Sequence, residues 1–358
     1  MFLELKQKAC KMDVLLFIPT GGGGAEKVSL NIAKILNRSG KNVHVVFIEG
    51  ANKNVMSYIC PDITYEIIPA SGHFKRYMAI LKSIRENKPK VVFSSLTALS
   101  TILIIAKIFN RNIKVVTRQC FTPKHGRKTI NFIIRLLFRF ADVNISQTEE
   151  MRDQMLTIYK LPPKKVVTVH NPLDTEDIDS KVVNVKKAHV GGHRFIAIGR
   201  LDYAKDYPTL IRAFSIVKKQ LPDATLKIYG HTDNRRLFDE ITGLITMMDL
   251  ANSISINHYT DNPYKELIES NCFVLTSVTE GLPNVLLEAM YLNLPCAATR
   301  SIPFIAETII DGENGFTANV GDPEDVAIAM IKSVSLYGKI NNKNAQDGDH
   351  SLIINIFS

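Results

Sequence analysis

Short, almost wholly apolar runs recur along the first half of the chain, at residues 14–19, 43–48, 89–95 and 114–118. Their β-branched content and lack of polar alternation are typical of strands covered on both faces, as in a parallel sheet. Helical patterns lie between them, at residues 25–40, 77–87 and 98–109. Because strand and helix alternate, this half is predicted to be a Rossmann-like α/β domain.

The same alternation restarts after a polar, weakly patterned stretch that ends near residue 190. It predicts strands at 194–200, 224–230, 253–259, 272–277 and 295–300, and helices near 208–220, 234–248 and 284–293. A chain of 358 residues suits two domains of this kind. We therefore divide it into an N-terminal domain (1–178, with 1–11 as an extension), a linker (179–190), a C-terminal domain (191–338) and an atypical tail (339–358).

Charge is divided unevenly between the two halves. Residues 1–170 contain 27 Lys and Arg against 11 Asp and Glu, a net +16, whereas residues 171–358 contain 17 against 24, a net −7. A basic half joined to an acidic half indicates a surface for an anionic partner, such as a membrane or a phosphorylated substrate. A solvated lysine-rich surface is the alternative. Nucleic acid is disfavoured, since no known binding motif accompanies the charge.

The five cysteines are scattered, without a C-x-x-C pair or metal-ligand spacing. They predict buried thiols in a reducing compartment. No apolar run reaches the roughly 18–20 residues of a membrane-spanning helix, and the first residues lack the features of a secretory signal. The sequence therefore predicts a protein that is neither integral nor exported by that route.

Three motifs follow predicted strands and have the composition of phosphate sites. The first is a run of four glycines that includes Gly23 and Gly24 and leads into the first predicted helix. Glycine permits close backbone approach, and a helix N-terminus attracts phosphate. Its spacing matches neither the dinucleotide fingerprint nor the P-loop. A strand, a turn and a helix without any ligand is the alternative.

The second motif, GRLDYAKDYPTL, places Gly199, Arg200 and Lys205 after a strand of the second domain. Open α/β sheets bind ligands at the carboxyl ends of their strands, and two cations there suit one diphosphate. Arg can bind it through two N–H groups. A pair of unrelated surface charges is the alternative.

The third motif, TSVTEGLPNVLLEAM, has Glu280 and Gly281 in a loop and Glu288 inside the following helix. Carboxylates suit sugar and ribose hydroxyls, and the N–H groups of the first helical turn suit a phosphate. Those N–H groups belong to Asn284, Val285 and Leu286. Two solvated or dipole-stabilising glutamates are the alternative.

The order of these motifs, completed by DGENGF at residues 311–316, resembles the retaining glycosyltransferases of family four over about residues 12–330. The resemblance implies the GT-B fold, two facing Rossmann-like domains with a cleft between them. It also implies roles: Arg200 and Lys205 neutralise the donor diphosphate, Glu288 holds the ribose, and Glu280 binds the transferred sugar. Gly23 and Gly24 are expected to close on the phosphates. Arg200, Lys205 and Glu280 are the expected catalytic residues.

The resemblance further implies a metal-independent hexosyltransferase of bacterial surface-glycan type. Its donor is expected to be a nucleotide-sugar, UDP-linked by analogy, and its acceptor a polyprenyl-diphosphate-linked glycan of capsule, O-antigen or glycoprotein synthesis. Arg118 and Gln119 stand where many relatives have a histidine, so no catalytic group is assigned there. A nucleotide-sugar epimerase of related architecture and a catalytically impaired binding protein remain alternatives.

A basic amphipathic segment at residues 123–140 predicts peripheral attachment to the inner face of the cell membrane. A core helix with flanking charges is the alternative. The basic residues of the segment are Lys124, Arg127, Lys128, Arg135 and Arg139. The family usually ends in a long helix that returns to the first domain. The polar tail here indicates a truncated end that leaves part of that domain uncovered.

Overall fold

The apolar runs of the first half become the strands of one parallel sheet in the computed structural model. It describes residues 12–19, 23–48, 59–69, 72–120, 128–232, 234–258, 260, 262–340 and 349–358. The chain divides into a first unit, residues 1–172 and 347–358, and a second unit, residues 173–346.

The first unit has seven parallel strands in the order β3-β2-β1-β4-β5-β6-β7. They are β1 (Val14–Pro19), β2 (Val43–Ile48), β3 (Thr64–Ile68), β4 (Val91–Ser94), β5 (Lys114–Arg118), β6 (Val143–Ser146) and β7 (Val166–Thr168). The helices are α1 (Gly24–Arg38), α2 (His73–Asn87), α3 (Thr97–Phe109), α4 (Lys128–Leu137) and α5 (Glu149–Thr157).

Both faces of this sheet are covered, as its apolar runs predict. Leu16 of β1 belongs to a core cluster shared with α1, whereas its neighbour Leu15 belongs to a second cluster shared with α2 to α5. Successive side chains of a strand point to opposite faces, so residues 14–18 of β1 pack alternately into the two clusters. Strand β3 was not predicted from the sequence. It is one of the two edge strands, and its Tyr65 and Ile67 are exposed.

The second unit repeats the plan with six parallel strands in the order β10-β9-β8-β11-β12-β13. They are β8 (Arg194–Ile198), β9 (Thr225–Tyr229), β10 (Ile254–Asn257), β11 (Cys272–Leu275), β12 (Cys296–Thr299) and β13 (Gly315–Ala318). The helices are α6 (Thr175–Val182), α7 (Tyr207–Gln220), α8 (Arg235–Met247), α9 (Pro263–Ile268), α10 (Asn284–Tyr291), α11 (Pro303–Thr308) and α12 (Pro323–Val334).

The stretch predicted as a linker differs in the structure. The units divide between Pro172 and Leu173, ahead of the predicted boundary at residue 178. Helix α6 occupies the beginning of the predicted linker and places Ile178 in the second unit's core, while the Ala188 N–H donates to the Ile268 carbonyl at 2.9 Å. A single apolar anchor in a polar stretch gave too weak a periodicity to predict this helix.

The C-terminal residues pack against the first unit through a short helix, α13 (His350–Ile356). Ile353, Ile356 and Phe357 are buried in the same cluster as α1, and the Phe357 ring meets that of Phe93 edge to face at 5.3 Å. The expectation that the tail leaves this surface uncovered is therefore wrong for the part that α13 covers. Each of these three residues is at most 7% exposed.

Candidate functional site

The predicted donor motifs lie at the carboxyl ends of two central strands of the second sheet. Strand order reverses between the neighbours β8 and β11, whose carboxyl ends carry the GRLDYAKDYPTL and TSVTEGLPNVLLEAM motifs. In open α/β sheets this switch point is where ligands bind. Residues 76 positions apart in sequence, such as Arg200 and Thr276, therefore belong to adjoining loops.

Close backbone approach shapes the first of these loops. The Gly199 N–H donates to the Tyr229 carbonyl at 3.0 Å, and a Cβ on Gly230 would lie only 2.1 Å from the Gly199 oxygen. Residue 230 must therefore be glycine. The Tyr207 hydroxyl donates to that same Gly199 oxygen at 2.9 Å. Burial, with the negative charges of Asp202 and Glu280, raises the pKa of Tyr207, so it remains a neutral donor.

Hydrogen bonds join the loop after β8 to the loop after β11. The Thr276 hydroxyl donates to the Lys205 carbonyl at 2.9 Å, and the Val278 N–H donates to the Ala204 carbonyl at 2.8 Å. Asp206 has a left-handed φ of 48° and caps α7 by accepting from the Thr209 N–H at 3.3 Å. These bonds fix the backbone on which Lys205 stands.

Lys205 and Glu280 meet across these loops. The Lys205 Nζ lies 2.5 Å from Glu280 Oε1, which also accepts from the Ser277 hydroxyl at 2.6 Å. The Thr299 hydroxyl holds the Ser277 carbonyl at 2.6 Å. The side chains of Lys205 and Glu280 are 23% and 11% exposed, so water screens the pair less than a surface ion pair. Two residues predicted to act on the donor thus form one hydrogen-bonded group.

Arg200 has a different environment from Lys205. Its side chain is 83% exposed, and its Nη2 lies 3.2 Å from Asp202 Oδ2. Sequence reasoning assigned no role to Asp202, although the residue stands inside the quoted motif. Ser277, Thr276 and Tyr207 were also missed, because hydroxyl groups that donate to a carboxylate or to a backbone carbonyl carry no spacing signal of their own.

Helix α10 carries four more of the predicted donor residues, whereas Gly281 lies in the loop before it. Glu288 is 3% exposed, so it is not the solvated helix residue of the alternative interpretation. Pro283 precedes the helix without a side-chain cap. Its carbonyl accepts from the Leu286 N–H at 3.1 Å, so the prediction that this N–H is free for a phosphate is wrong. The first turn closes on itself there in a 3₁₀-type bond.

The glycine turn belongs to the first unit, where Gly23 and Gly24 are exposed at the start of α1. The other two glycines of that run lie outside the described residues. Gly23 precedes the first helical residue with an extended backbone. The predicted strand before this run and the predicted helix after it are both present, as β1 and α1.

Arg118 and Gln119, which received no role from the sequence, are buried at the carboxyl end of β5. The Arg118 guanidinium donates to Asn171 Oδ1 and, at 3.4 Å, to Cys120 Sγ. Burial lowers the pKa of Arg118 and raises that of Cys120. Gln119 donates to the Tyr159 hydroxyl at 3.3 Å. These groups bind one another within the first unit.

The basic segment forms helix α4 and a 3₁₀ turn at Phe138–Phe140. Lys124 and Arg127 lie outside the described residues, and Lys128 begins α4. Arg135 and Arg139 are exposed. The buried side of the segment carries Ile134 and Phe138, as the core-helix interpretation requires. Four apolar side chains are nevertheless exposed: Phe132, Ile133, Leu136 and Phe140.

Two absences concern only the part of the chain that the structure describes. There, no helix is both long and apolar enough to cross a bilayer. Within the same residues, no three His, Cys, Asp or Glu side chains form a group that could hold a metal ion. Metal independence stays a prediction.

Comparison with known proteins gives the same family as the motifs. The family model described as "Glycosyltransferase Family 4" matches residues 22–177, and that described as "Glycosyl transferases group 1" matches residues 182–346. An uncharacterized glycosyltransferase of Methanocaldococcus jannaschii is 32% identical over 245 residues, covering 63% of this chain and 59% of that relative. The chain thus spans less than two thirds of that relative.

A second relative matches along nearly the whole chain. It is the N-acetylgalactosamine-N,N'-diacetylbacillosaminyl-diphospho-undecaprenol 4-alpha-N-acetylgalactosaminyltransferase of Campylobacter jejuni, 25% identical over 342 residues and covering 90% of each chain. Glycosyltransferases of capsule and lipopolysaccharide-core synthesis also match. Among solved structures, Anabaena HepE in complex with UDP and glucose has a TM-score of 0.77 at 18% identity, covering 96% of this chain and 97% of that one. The GT-B class predicted from the sequence is confirmed.

Proposed function

The chain belongs to the family-four glycosyltransferases, and on that premise we propose that it moves a hexose or N-acetylhexosamine, with retention, from a UDP-sugar to a polyprenyl-diphosphate-linked glycan. The protein is a glycosyltransferase of capsule and lipopolysaccharide type. The observation that carries the finer proposal is the Lys205–Glu280 pair at the switch point of the second sheet.

Each donor residue has a role that suits its surroundings. Lys205 and Arg200 bind the diphosphate, the first as a fixed point charge and the second as a planar fork. Glu280, whose carboxylate is already oriented by Ser277, binds hydroxyls of the transferred sugar. Glu288 binds the ribose hydroxyls. We expect that cations replace a metal as the stabiliser of the departing diphosphate.

The reaction that follows is a front-face substitution. An acceptor hydroxyl oxygen bonds to C1 of the sugar on the face from which the nucleoside diphosphate departs. The bond between C1 and the phosphate oxygen breaks, and that oxygen takes the proton of the hydroxyl. Charge accumulates on the diphosphate as it leaves, so Arg200 and Lys205 stabilise the transition state more than the bound donor.

An acceptor with a polyprenyl tail lies in a membrane, and the first unit has a surface suited to meet one. The exposed apolar side chains of α4 and the turn after it adjoin Arg135 and Arg139. Apolar residues that enter the interface beside cations that attract anionic lipid are the features of a peripheral helix. We propose that the enzyme works at the cytoplasmic face of the membrane through this surface.

The proposal is tested by incubating the protein with UDP-hexoses and UDP-N-acetylhexosamines, with and without lipid-linked acceptor and with excess chelator. We expect labelled sugar to enter the lipid fraction in the presence of chelator. Release of an epimer, or recovery of intact donor with every acceptor, contradicts the proposed function.

Variants assign the activity to this site. Lys205→Ala and Glu288→Gln each remove a charge-assisted contact of roughly 1.5–3 kcal/mol, so transfer should fall about tenfold to hundredfold. The matched control is Lys227→Ala, which removes a lysine paired with Glu266 at 3.2 Å elsewhere in the second unit. Equal activity of Lys205→Ala and the control contradicts the role of Lys205.

A further inference from the structure

Asp202 has an unusual carboxylate for a residue beside a proposed diphosphate site. One oxygen, Oδ2, lies 3.2 Å from Arg200 Nη2. The other, Oδ1, is buried and has no hydrogen-bond partner among the described residues. A buried carboxylate oxygen without a donor destabilises the fold, and this one is near a region expected to receive further negative charge.

The backbone holds Asp202 in a fixed position. Its N–H donates to the Arg200 carbonyl at 3.0 Å, and its own carbonyl accepts from the Lys205 N–H at 3.1 Å. The carboxylate therefore extends from the same rigid turn that carries Lys205. Its side chain is 34% exposed, whereas that of Arg200 is 83% exposed.

The two cations of the motif differ in what orients them. Lys205 is largely enclosed and paired with Glu280. The exposed Arg200 is a long side chain with many accessible rotamers, and within the described residues its ion-pair partner is Asp202. A side chain that must be immobilised when a ligand binds weakens that binding unless it is oriented beforehand.

We propose that Asp202 is a positioning residue, which holds the Arg200 guanidinium in place to bind the donor diphosphate. This inference rests on the proposed function of the site. It predicts the direction in which diphosphate affinity changes when Asp202 is neutralised, because two effects of this carboxylate oppose one another. Asp202 as a neighbouring negative charge repels a diphosphate, so its neutralisation alone should tighten binding. Asp202 as the anchor of Arg200 should do the reverse.

The experiment measures the affinity of the full chain for UDP by titration calorimetry. We expect Asp202→Asn, which keeps the volume and removes the charge, to weaken UDP binding by roughly three- to tenfold, about the rotamer freedom of one long side chain. Arg200→Ala should weaken it more. In the Arg200→Ala background, Asp202→Asn should have no effect or tighten binding, because only the repulsion then remains.

Asp239→Asn is the matched control, since Asp239 pairs with Arg235 on the exposed surface of α8. It should leave UDP affinity unchanged, and thermal melting should show that every variant folds. The inference is overturned if Asp202→Asn binds UDP as tightly as the wild type or more tightly. Equal weakening by Asp202→Asn in both backgrounds also overturns it, because Asp202 would then act without Arg200. A wild-type chain that binds no nucleoside diphosphate contradicts the proposed function as well.

Discussion

Lys205 is paired within the protein and still has N–H donors for the proposed diphosphate. An ammonium group has three N–H donors, and the carboxylate of Glu280 needs only one of them. A phosphate oxygen can accept from another, so the diphosphate need not displace Glu280. The carboxylate nevertheless lowers the positive potential that the diphosphate meets.

Glu280→Gln should therefore separate binding from transfer. The amide keeps the volume and removes the charge, so UDP, which lacks the transferred sugar that Glu280 is proposed to contact, should bind at least as tightly as to the wild type. Sugar transfer should fall about tenfold to hundredfold, because the charged contact to the sugar hydroxyls is lost. Calorimetry with UDP and a transfer assay measure the two effects. Weaker UDP binding in this variant would show that Glu280 supports Lys205 rather than opposing the diphosphate.

His44 makes the stability of the first unit depend on pH. Its ring lies 2.7 Å from the Thr64 hydroxyl, and burial lowers its pKa from the ordinary value of 6.5. The folded protein thus keeps His44 neutral, while the unfolded chain protonates near pH 6.5. This contribution to stability is present above pH 6.5 and is lost as pH falls from there towards the lowered pKa.

We expect the melting temperature to fall more steeply for the wild type than for His44→Gln as the pH is lowered from 7.5 to 5.5. Glutamine has a similar length and no charge to gain. The difference between the two curves isolates this residue from other titrating groups. Parallel curves would mean that burial does not lower the pKa of His44 in the folded protein.

At the scale of elements, α13 shows how much a short helix contributes when its residues are buried. Phe357→Ala should destabilise the first unit by about 3–5 kcal/mol, the range for a buried phenylalanine that leaves a cavity. Thermal melting of the full chain measures it. Val183→Ala is the control, because Val183 is 77% exposed. An equal, small effect of both changes would show that α13 does not stabilise the unit.

Helix α4 and the turn after it test the membrane proposal. Changing Phe132 and Phe140 together to Ser removes two exposed aromatic groups. If both enter the interface, binding to phosphatidylglycerol vesicles should weaken by at least tenfold, since a fully buried Phe contributes about 1.5–3 kcal/mol. Met247→Ser, a change at a more exposed apolar residue of the second unit, should have no effect. Sedimentation measures both, and equal loss in the two variants contradicts a specific surface.

At the scale of the whole molecule, we place the proposed membrane contact on the first half of the chain, because residues 1–170 have a net charge of +16. Wild-type binding to anionic vesicles should weaken as ionic strength rises from 0.01 to 0.15 M, because the Debye length shrinks from about 30 to 8 Å. Neutral vesicles provide the control. If vesicle binding does not change with ionic strength, the apolar side chains bind the membrane without a contribution from the basic residues.

Sequence alone determined the alternation of strands and helices, and with it both Rossmann-like units. Continuous apolar runs such as Val14–Pro19 can be satisfied only by a sheet covered on both faces. The three motifs could also be located from the sequence, because each has a fixed spacing within its own loop, while donor binding by their residues stays a prediction. Edge strand β3, helix α6 and helix α13 escaped prediction, since their stability comes from a few anchors rather than from periodicity.

Only the tertiary structure decided which of these residues meet. Lys205 and Glu280 are 75 residues apart, and they become neighbours because the sheet places β8 beside β11. The tertiary structure also distinguishes two cations to which the sequence analysis gave the same role. Lys205 is enclosed and paired with Glu280, whereas the exposed Arg200 is paired with the half-buried Asp202. The spacing of residues along the chain determines which side chains one loop carries. Their burial and their partners depend on which residues the neighbouring strand places at the same end of the sheet.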